Sequence, residues 1–168
     1  AVALAAAHRG GNFIRSRLDR TRQIEHKGEI DLVTEADLGA EKRIIDTIRT
    51  RFPDHTILSE EQGLTLGRSG YQWIIDPLDG TTNFAHGLTT CCVSIAVEKD
   101  NQPLIGIVWS LFTEELFSAV RGDGAFLNGR RLSVSDIGQV QGSLLVTGFP
   151  YNVKDIMAPV MNRFARCL

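Results

Sequence analysis

The chain has 168 residues, with 18 Lys and Arg against 20 Asp and Glu, for a formal charge of −2; a chain of this size buries about 70% of its unfolded surface in one core. Its 43% hydrophobic and 23% charged residues lie on the averages for soluble globular domains, which excludes a disordered tail. The pI near 6.1 and the lack of a dominant Lys/Arg run argue against nucleic acid as a partner, and the longest apolar stretches, such as Leu104–Trp109, are too short to make a membrane segment.

In chain order, Ala1-Val2-Ala3-Leu4-Ala5-Ala6-Ala7 reads as helix interior and, with no basic lead-in, as a poor signal peptide. A first helix is expected over Val2–Thr21, interrupted or weakened at Gly10-Gly11. Polar His26-Lys27-Gly28-Glu29 leads into Ile30-Asp31-Leu32-Val33-Thr34, and Thr34 with Asp37 makes a start like a capping box, Asp standing for the usual Glu or Gln. Leu38, Ile44, Ile45, Ile48 and Phe52 then share one helical stripe, which Pro53 stops.

A short strand over Thr56–Leu58 runs into Ser59-Glu60-Glu61, and a polar loop continues to about Tyr71. Trp73-Ile74-Ile75 reads as a buried strand ending sharply at Asp76-Pro77. Cys91–Glu98, Leu104–Leu111 and Glu115–Val120 alternate as antiparallel strands, with Asn101-Gln102-Pro103 as one turn. Asn128-Gly129 is a hairpin signal between Ala125–Leu127 and Arg130–Leu132. Leu144–Thr147 is expected as a last strand before an amphipathic helix carrying Val160, Met161, Phe164 and Leu168. Two helices followed by a meander predict an α+β fold with helices packed on one face of a largely antiparallel sheet.

Three cysteines, Cys91, Cys92 and Cys167, form no CxxC and no disulfide framework. The first two sit in a strand pattern, where Cys behaves as a small hydrophobe; a reducing, cytoplasmic setting follows. Arg121-Gly122-Asp123 matches an adhesion tripeptide by chance, a lone His86 after the acidic turn reads as structural, and Arg130-Arg131 as a solvated strand end.

The chemistry concentrates in Trp73-Ile74-Ile75-Asp76-Pro77-Leu78-Asp79-Gly80-Thr81-Thr82-Asn83-Phe84. Pro77 has a locked φ and no N–H, so a turn there aims Asp76 and Asp79 at one point, with the Leu78 carbonyl as a third oxygen. Hard oxygen donors of this kind suit Mg²⁺. Gly80 lets backbone approach a ligand without a Cβ in the way, and Thr81-Thr82 opens a short helix whose N–H groups suit a phosphate oxygen. An Asx-turn with solvated carboxylates explains the same string without function. Glu60 lies sixteen residues before Asp76, at another strand end, and adjacent strand ends would bring the two acids together; Glu60-Glu61 as a solvated loop is the plain alternative.

Asp31-Leu32-Val33-Thr34-Glu35-Ala36-Asp37, Ser59-Glu60-Glu61 and the acidic turn, in that order and spacing, resemble the inositol monophosphatase family of Mg²⁺-dependent, lithium-sensitive sugar phosphatases. The likeness runs from about Lys27 to Val146, and Gly122–Gly129 is similar to the family's β-hairpin. It implies a layered αβαβα fold. It implies that Glu60, Asp76 and the Leu78 carbonyl hold a first Mg²⁺, and that Asp76 and Asp79 reach a second. Gly80 and Thr81, beside Leu78 and Asp79, would contact the phosphate. Thr81 paired with Asp37 would position and deprotonate the attacking water, helix capping being the rival role for Asp37.

The chain departs from the family pattern after Val146. The W-D-x-x-A-G-type segment that completes the second metal site is not among its residues, nor is the later acid that binds sugar hydroxyls. The expectation is therefore a metal-binding N-terminal subdomain over 1–150, a connecting helix over 151–168, and a C-terminal subdomain lying outside this chain. The function implied is Mg²⁺-dependent hydrolysis of inositol monophosphate or a related phosphorylated polyol or sugar, by a homodimer. Fructose-bisphosphatase, nucleotide 3′-phosphatase and histidinol-phosphatase activities remain alternatives, as does a non-catalytic metal- or protein-binding module.

Overall fold

The computed structural model describes residues 1–17, 24–26, 32–150 and 152–167, with 24–26 and 32–34 described as backbone. Residues 1–132 form one unit and 133–168 another.

Helix α1 spans Val2–Arg15 and runs unbroken through Gly10-Gly11. The two glycines mark close approach, not weakness. A Cβ on Gly10 would sit 2.6 Å from the Ile44 side chain, and one on Gly11 2.5 Å from Leu111 and 2.6 Å from Trp109. The small face Ala3, Ala6, Ala7, Gly10, Gly11 thus lets α1 lie directly on its neighbours. The helix ends earlier than Thr21, where Ser16 N–H bonds Asn12 O and the Ser16 hydroxyl donates to Phe13 O; residues 18–21 lie outside the described residues.

Helix α2 covers Glu35–Arg49 and buries Ala36, Asp37, Ala40, Glu41, Ile44, Ile45 and Ile48. Leu38, expected in the stripe, is instead half exposed: it sits one residue, about 100° of helix, past the buried Asp37. Phe52 lies beyond the helix end and packs, partly buried, against the core. The capping-box contact of Thr34, like Ile30 and Asp31, lies outside the described residues.

Strands β1 (Ile24–His26) and β2 (Leu32–Thr34) form an antiparallel pair. Among the described residues the main sheet has eight strands: β3 (Thr56–Ser59), β4 (Gly63–Thr65), β5 (Tyr71–Asp79), β6 (Cys92–Lys99), β7 (Gln102–Ser110), β8 (Leu116–Val120), β9 (Gly124–Leu127) and β10 (Arg130–Arg131). Their order is β10-β9-β8-β7-β6-β5-β3-β4, and β3 with β5 is the parallel pair in an otherwise antiparallel sheet. β4 was expected as polar loop; its exposed Leu64 and Thr65 carry no alternation that would flag a strand.

Alternate residues of the central strands, Ile57, Trp73, Ile75, Val93, Ile95, Val97, Ile107 and Trp109, are buried on the face against which α1 and α2 pack. Each such side chain contributes about 1.5–3 kcal/mol by leaving water, and together they hold the acidic turn on a fixed base. The helices-on-a-sheet architecture is therefore the expected α+β arrangement.

Two turns show how local chemistry sets register. Asn128 (φ 48°) and Gly129 (φ 78°) make the expected hairpin turn. The β6–β7 turn falls at Asp100 (φ 51°) and Asn101 (φ 60°), earlier than Asn101-Gln102-Pro103, so Gln102 and Pro103 already belong to β7. Pro103 is tolerated because it faces Glu98 at an irregularity in the ladder.

The second unit holds a short 3₁₀ turn at Val140–Gly142 and helix α4, Met157–Ala165, with the Phe149 and Phe164 rings edge-on at 6.3 Å. The strand expected at Leu144–Thr147 does not form; Leu144 and Val146 are fully exposed, and no strand partner exists among the described residues of this unit. Val160, Met161 and Phe164 lie in α4, while Leu168 is outside the described residues. No helix among the described residues is long and apolar enough to cross a membrane.

Candidate active site

The acidic turn is built into β5 and does not follow it. β5 continues past Pro77 to Asp79, and its register with β6 shifts from Asp76↔Ser94 to Asp79↔Cys92. One extra residue is accommodated there as a bulge, and a bulge asks no ladder hydrogen bond of Pro77. The expected strand stop at Asp76-Pro77 is thus a kink within the strand. Leu78, fully buried, anchors the bulge from below, and its N–H donates to Asp76 Oδ1 at 3.1 Å.

β3 lies parallel to β5 with Ser59 opposite Ile75, and Glu60 N–H donates to Ile75 O at 3.2 Å. That ladder places Glu60 beside Asp76. The short helix α3, Thr81–Ala85, follows, with Gly80 as N-cap at φ 89° and no side-chain cap. A Cβ on Gly80 would lie 2.8 Å from Thr90 O, so what approaches this glycine in the structure is the chain's own backbone. Asn83 Nδ2 donates to the same Thr90 carbonyl at 2.7 Å, tying the segment between α3 and β6 to the turn.

The Thr81 hydroxyl donates to the Leu78 carbonyl at 2.9 Å and lies 3.4 Å from Asp37 Oδ2. Asp37 sits in the first turn of α2, almost wholly buried. Its carboxyl is raised to about 8, chiefly by burial and then by the charges of Glu61, Glu60, Asp76 and Glu41. Asp76 is raised to about 7 by burial, by the charges of Glu60 and Asp79 and by a hydrogen bond with Glu60; the Leu78 N–H opposes this. Both acids feel a crowd of negative charge, the electrostatic condition that a bound cation relieves.

The donor set of Glu60, Asp76, Asp79 and the Leu78 carbonyl is all hard oxygen and so fits Mg²⁺ in kind. Among the described residues, no group of three or more His, Cys, Asp or Glu side chains is placed closely enough to hold a metal ion by itself. Cys92 Sγ lies 3.6 Å from Asp79 Oδ2. Burial and the Asp79 charge push the Cys92 thiol up to about 12 and the Cys91 thiol up to about 11, so both stay protonated.

The structure therefore brings Glu60 to Asp76 and Asp37 to Thr81, and sets Leu78, Asp79 and Gly80 in the same turn. His86 is exposed at the end of α3. One residue escaped the sequence reading: Glu41, wholly buried, accepts from the Ser59 hydroxyl and from the Glu61 N–H at 3.0 Å. Its signal was an acid one turn after Asp37 in an otherwise apolar stripe.

Helices layered on a mostly antiparallel sheet make the α+β fold that the chain shares with solved inositol monophosphatases. The chain belongs to the inositol monophosphatase family, whose model matches residues 1–163. It is 47% identical over 159 residues to the Nus factor SuhB of Haemophilus influenzae, covering 93% of this chain and 60% of that protein. It is 41% identical over 150 residues to inositol monophosphatase 3 of Solanum lycopersicum, covering 87% of this chain and 56% of that one. The solved inositol monophosphatase of Anabaena (Nostoc) superposes with a TM-score of 0.79 at 39% identity, covering 92% of this chain and 56% of its own. The chain thus spans less than two thirds of the length of these relatives.

Proposed function

We propose that this chain carries the cation- and phosphate-binding part of a Mg²⁺-dependent phosphomonoesterase whose substrate is inositol monophosphate or a related phosphorylated polyol or sugar. The observation that supports it most is the meeting of Glu60, Asp76 and the bulged Pro77–Gly80 turn at one strand end. Glu60, Asp76 and the Leu78 carbonyl would hold a first Mg²⁺, with Asp76 and Asp79 reaching toward a second. When bound, such an ion neutralises phosphate charge and makes water a nucleophile near neutral pH.

The chain's own residues do the rest. Gly80 and Thr81 present backbone N–H groups at the uncapped start of α3 to phosphate oxygens. The Thr81 hydroxyl orients the attacking water, and Asp37, 3.4 Å away, would receive the proton once a bound cation has drawn its carboxyl down from the raised value of the metal-free chain. Phosphoryl transfer needs positioning and charge more than covalent help, which a fixed turn supplies. The reading includes lithium sensitivity, a homodimer, no nucleic-acid partner and a cytoplasmic setting, the last supported by the free Cys91, Cys92 and Cys167.

Phosphate release from inositol monophosphate by the full-length protein tests this. Release that requires Mg²⁺ and is lost in Asp79→Asn is expected; no release, or release indifferent to that substitution, contradicts it. A second reading, a non-catalytic protein-binding role, is favoured by the 47% identity to a protein named as a Nus factor. It predicts cation binding without turnover.

A further inference from the structure

We infer that Glu41 is a positioning residue for Glu60: its buried carboxylate clamps the turn after β3 and sets where the Glu60 side chain stands at the acidic site. The inference deepens the cation reading above and rests on it. Asp37 apart, the buried residues of α2 are small or aliphatic, Ala36, Ala40, Ile44, Ile45 and Ile48, and Glu41 interrupts them with a carboxylate of 0% exposure. Its Oε2 accepts the Ser59 hydroxyl, the Glu61 N–H at 3.0 Å and the Gln62 N–H at 3.4 Å. These donors bracket Glu60, whose own N–H is held from the opposite side by Ile75 O.

Glu60 is thus suspended between two anchors, β5 and α2. Core packing does not account for the acid, because Oε1 of Glu41 is buried with no hydrogen-bond partner among the described residues, and an aliphatic side chain would fill that space at lower cost. One turn earlier on the same helix, Asp37 faces Thr81. A single rigid helix therefore fixes the spacing between the Glu60 turn and the acidic turn of β5.

The test is Mn²⁺ binding to the 168-residue chain, read by electron paramagnetic resonance, for the unchanged chain, Glu41→Gln, Glu60→Gln and the double variant. Glu41→Gln is expected to weaken Mn²⁺ by about tenfold or more, and to add nothing once Glu60 is already Gln. No loss in Glu41→Gln, or an equal loss in both backgrounds, overturns the inference. If Glu60→Gln itself leaves Mn²⁺ binding unchanged, the cation reading falls, and hydrogen exchange at the Glu61 and Gln62 amides decides the clamp. Faster exchange in Glu41→Gln upholds it; unchanged exchange overturns it. Should Glu41→Gln not fold, Ser59→Ala removes one clamp donor and leaves the carboxylate in place. The same non-additive loss is expected there, and unaltered Mn²⁺ binding contradicts it.

Discussion

Asp37 is an acid placed where burial and four neighbouring carboxylates oppose its charge, and this has a measurable consequence. Its folded-state value, about 8 against 3.8, means the folded chain holds a proton that the unfolded chain releases. Without metal, the stability contributed by this group is fully present below about pH 4 and is lost progressively as pH rises toward 8; Asp76, raised to about 7, acts in the same sense. Asp37→Asn is therefore expected to raise the melting temperature of the metal-free chain at pH 8 and to flatten its decline between pH 5 and 8. An unchanged slope contradicts the assignment. His55 works the other way. Its Nδ1 accepts the Trp73 Nε1–H at 2.9 Å, which requires a neutral ring, and burial lowers its value from 6.5. This contribution is present above pH 6.5 and is lost as pH falls through the lowered folded value. Protonation of His55 should accordingly appear by NMR below the pH of an exposed histidine; titration at or above 6.5 contradicts the contact.

At the level of elements, α1 shows tertiary contact overriding propensity. Alanine is favoured over glycine inside a helix by about 1 kcal/mol, so an isolated helix would gain from Gly11→Ala. In this fold the added Cβ meets Leu111 at 2.5 Å and Trp109 at 2.6 Å, and overpacking of that kind costs about 1–3 kcal/mol. Gly11→Ala is expected to lower the midpoint of denaturant unfolding with helix content retained; an equal or higher midpoint refutes the close packing. The same logic explains what the residues alone disclosed. Asn128-Gly129, the Thr81 helix start and the alternation in β6 and β7 were legible because each is a local preference. Pro77 was misjudged as a strand stop because a bulge is a property of two strands. Leu144–Thr147 has the composition of a strand and lacks a partner among the described residues of its unit. Glu41 was hidden because its donors lie 18 to 21 residues downstream and meet it only through β3.

For the whole molecule, the sheet and two helices are best seen as the base that holds Glu60, Asp76 and Asp79 at one strand end despite their repulsion. The acids were readable as a motif, whereas their convergence needed the parallel pairing of β3 with β5, which no local signal encodes. The central claim is that this convergence is a cation site. Calorimetric titration of the chain with Mg²⁺, beside Asp76→Asn, tests it most directly. Saturable Mg²⁺ binding that weakens by more than about a hundredfold in Asp76→Asn is predicted, since a direct ligand should matter more than the outer partners whose loss costs 10–100-fold. Mg²⁺ binding of equal strength in both proteins, or none in either, would contradict it.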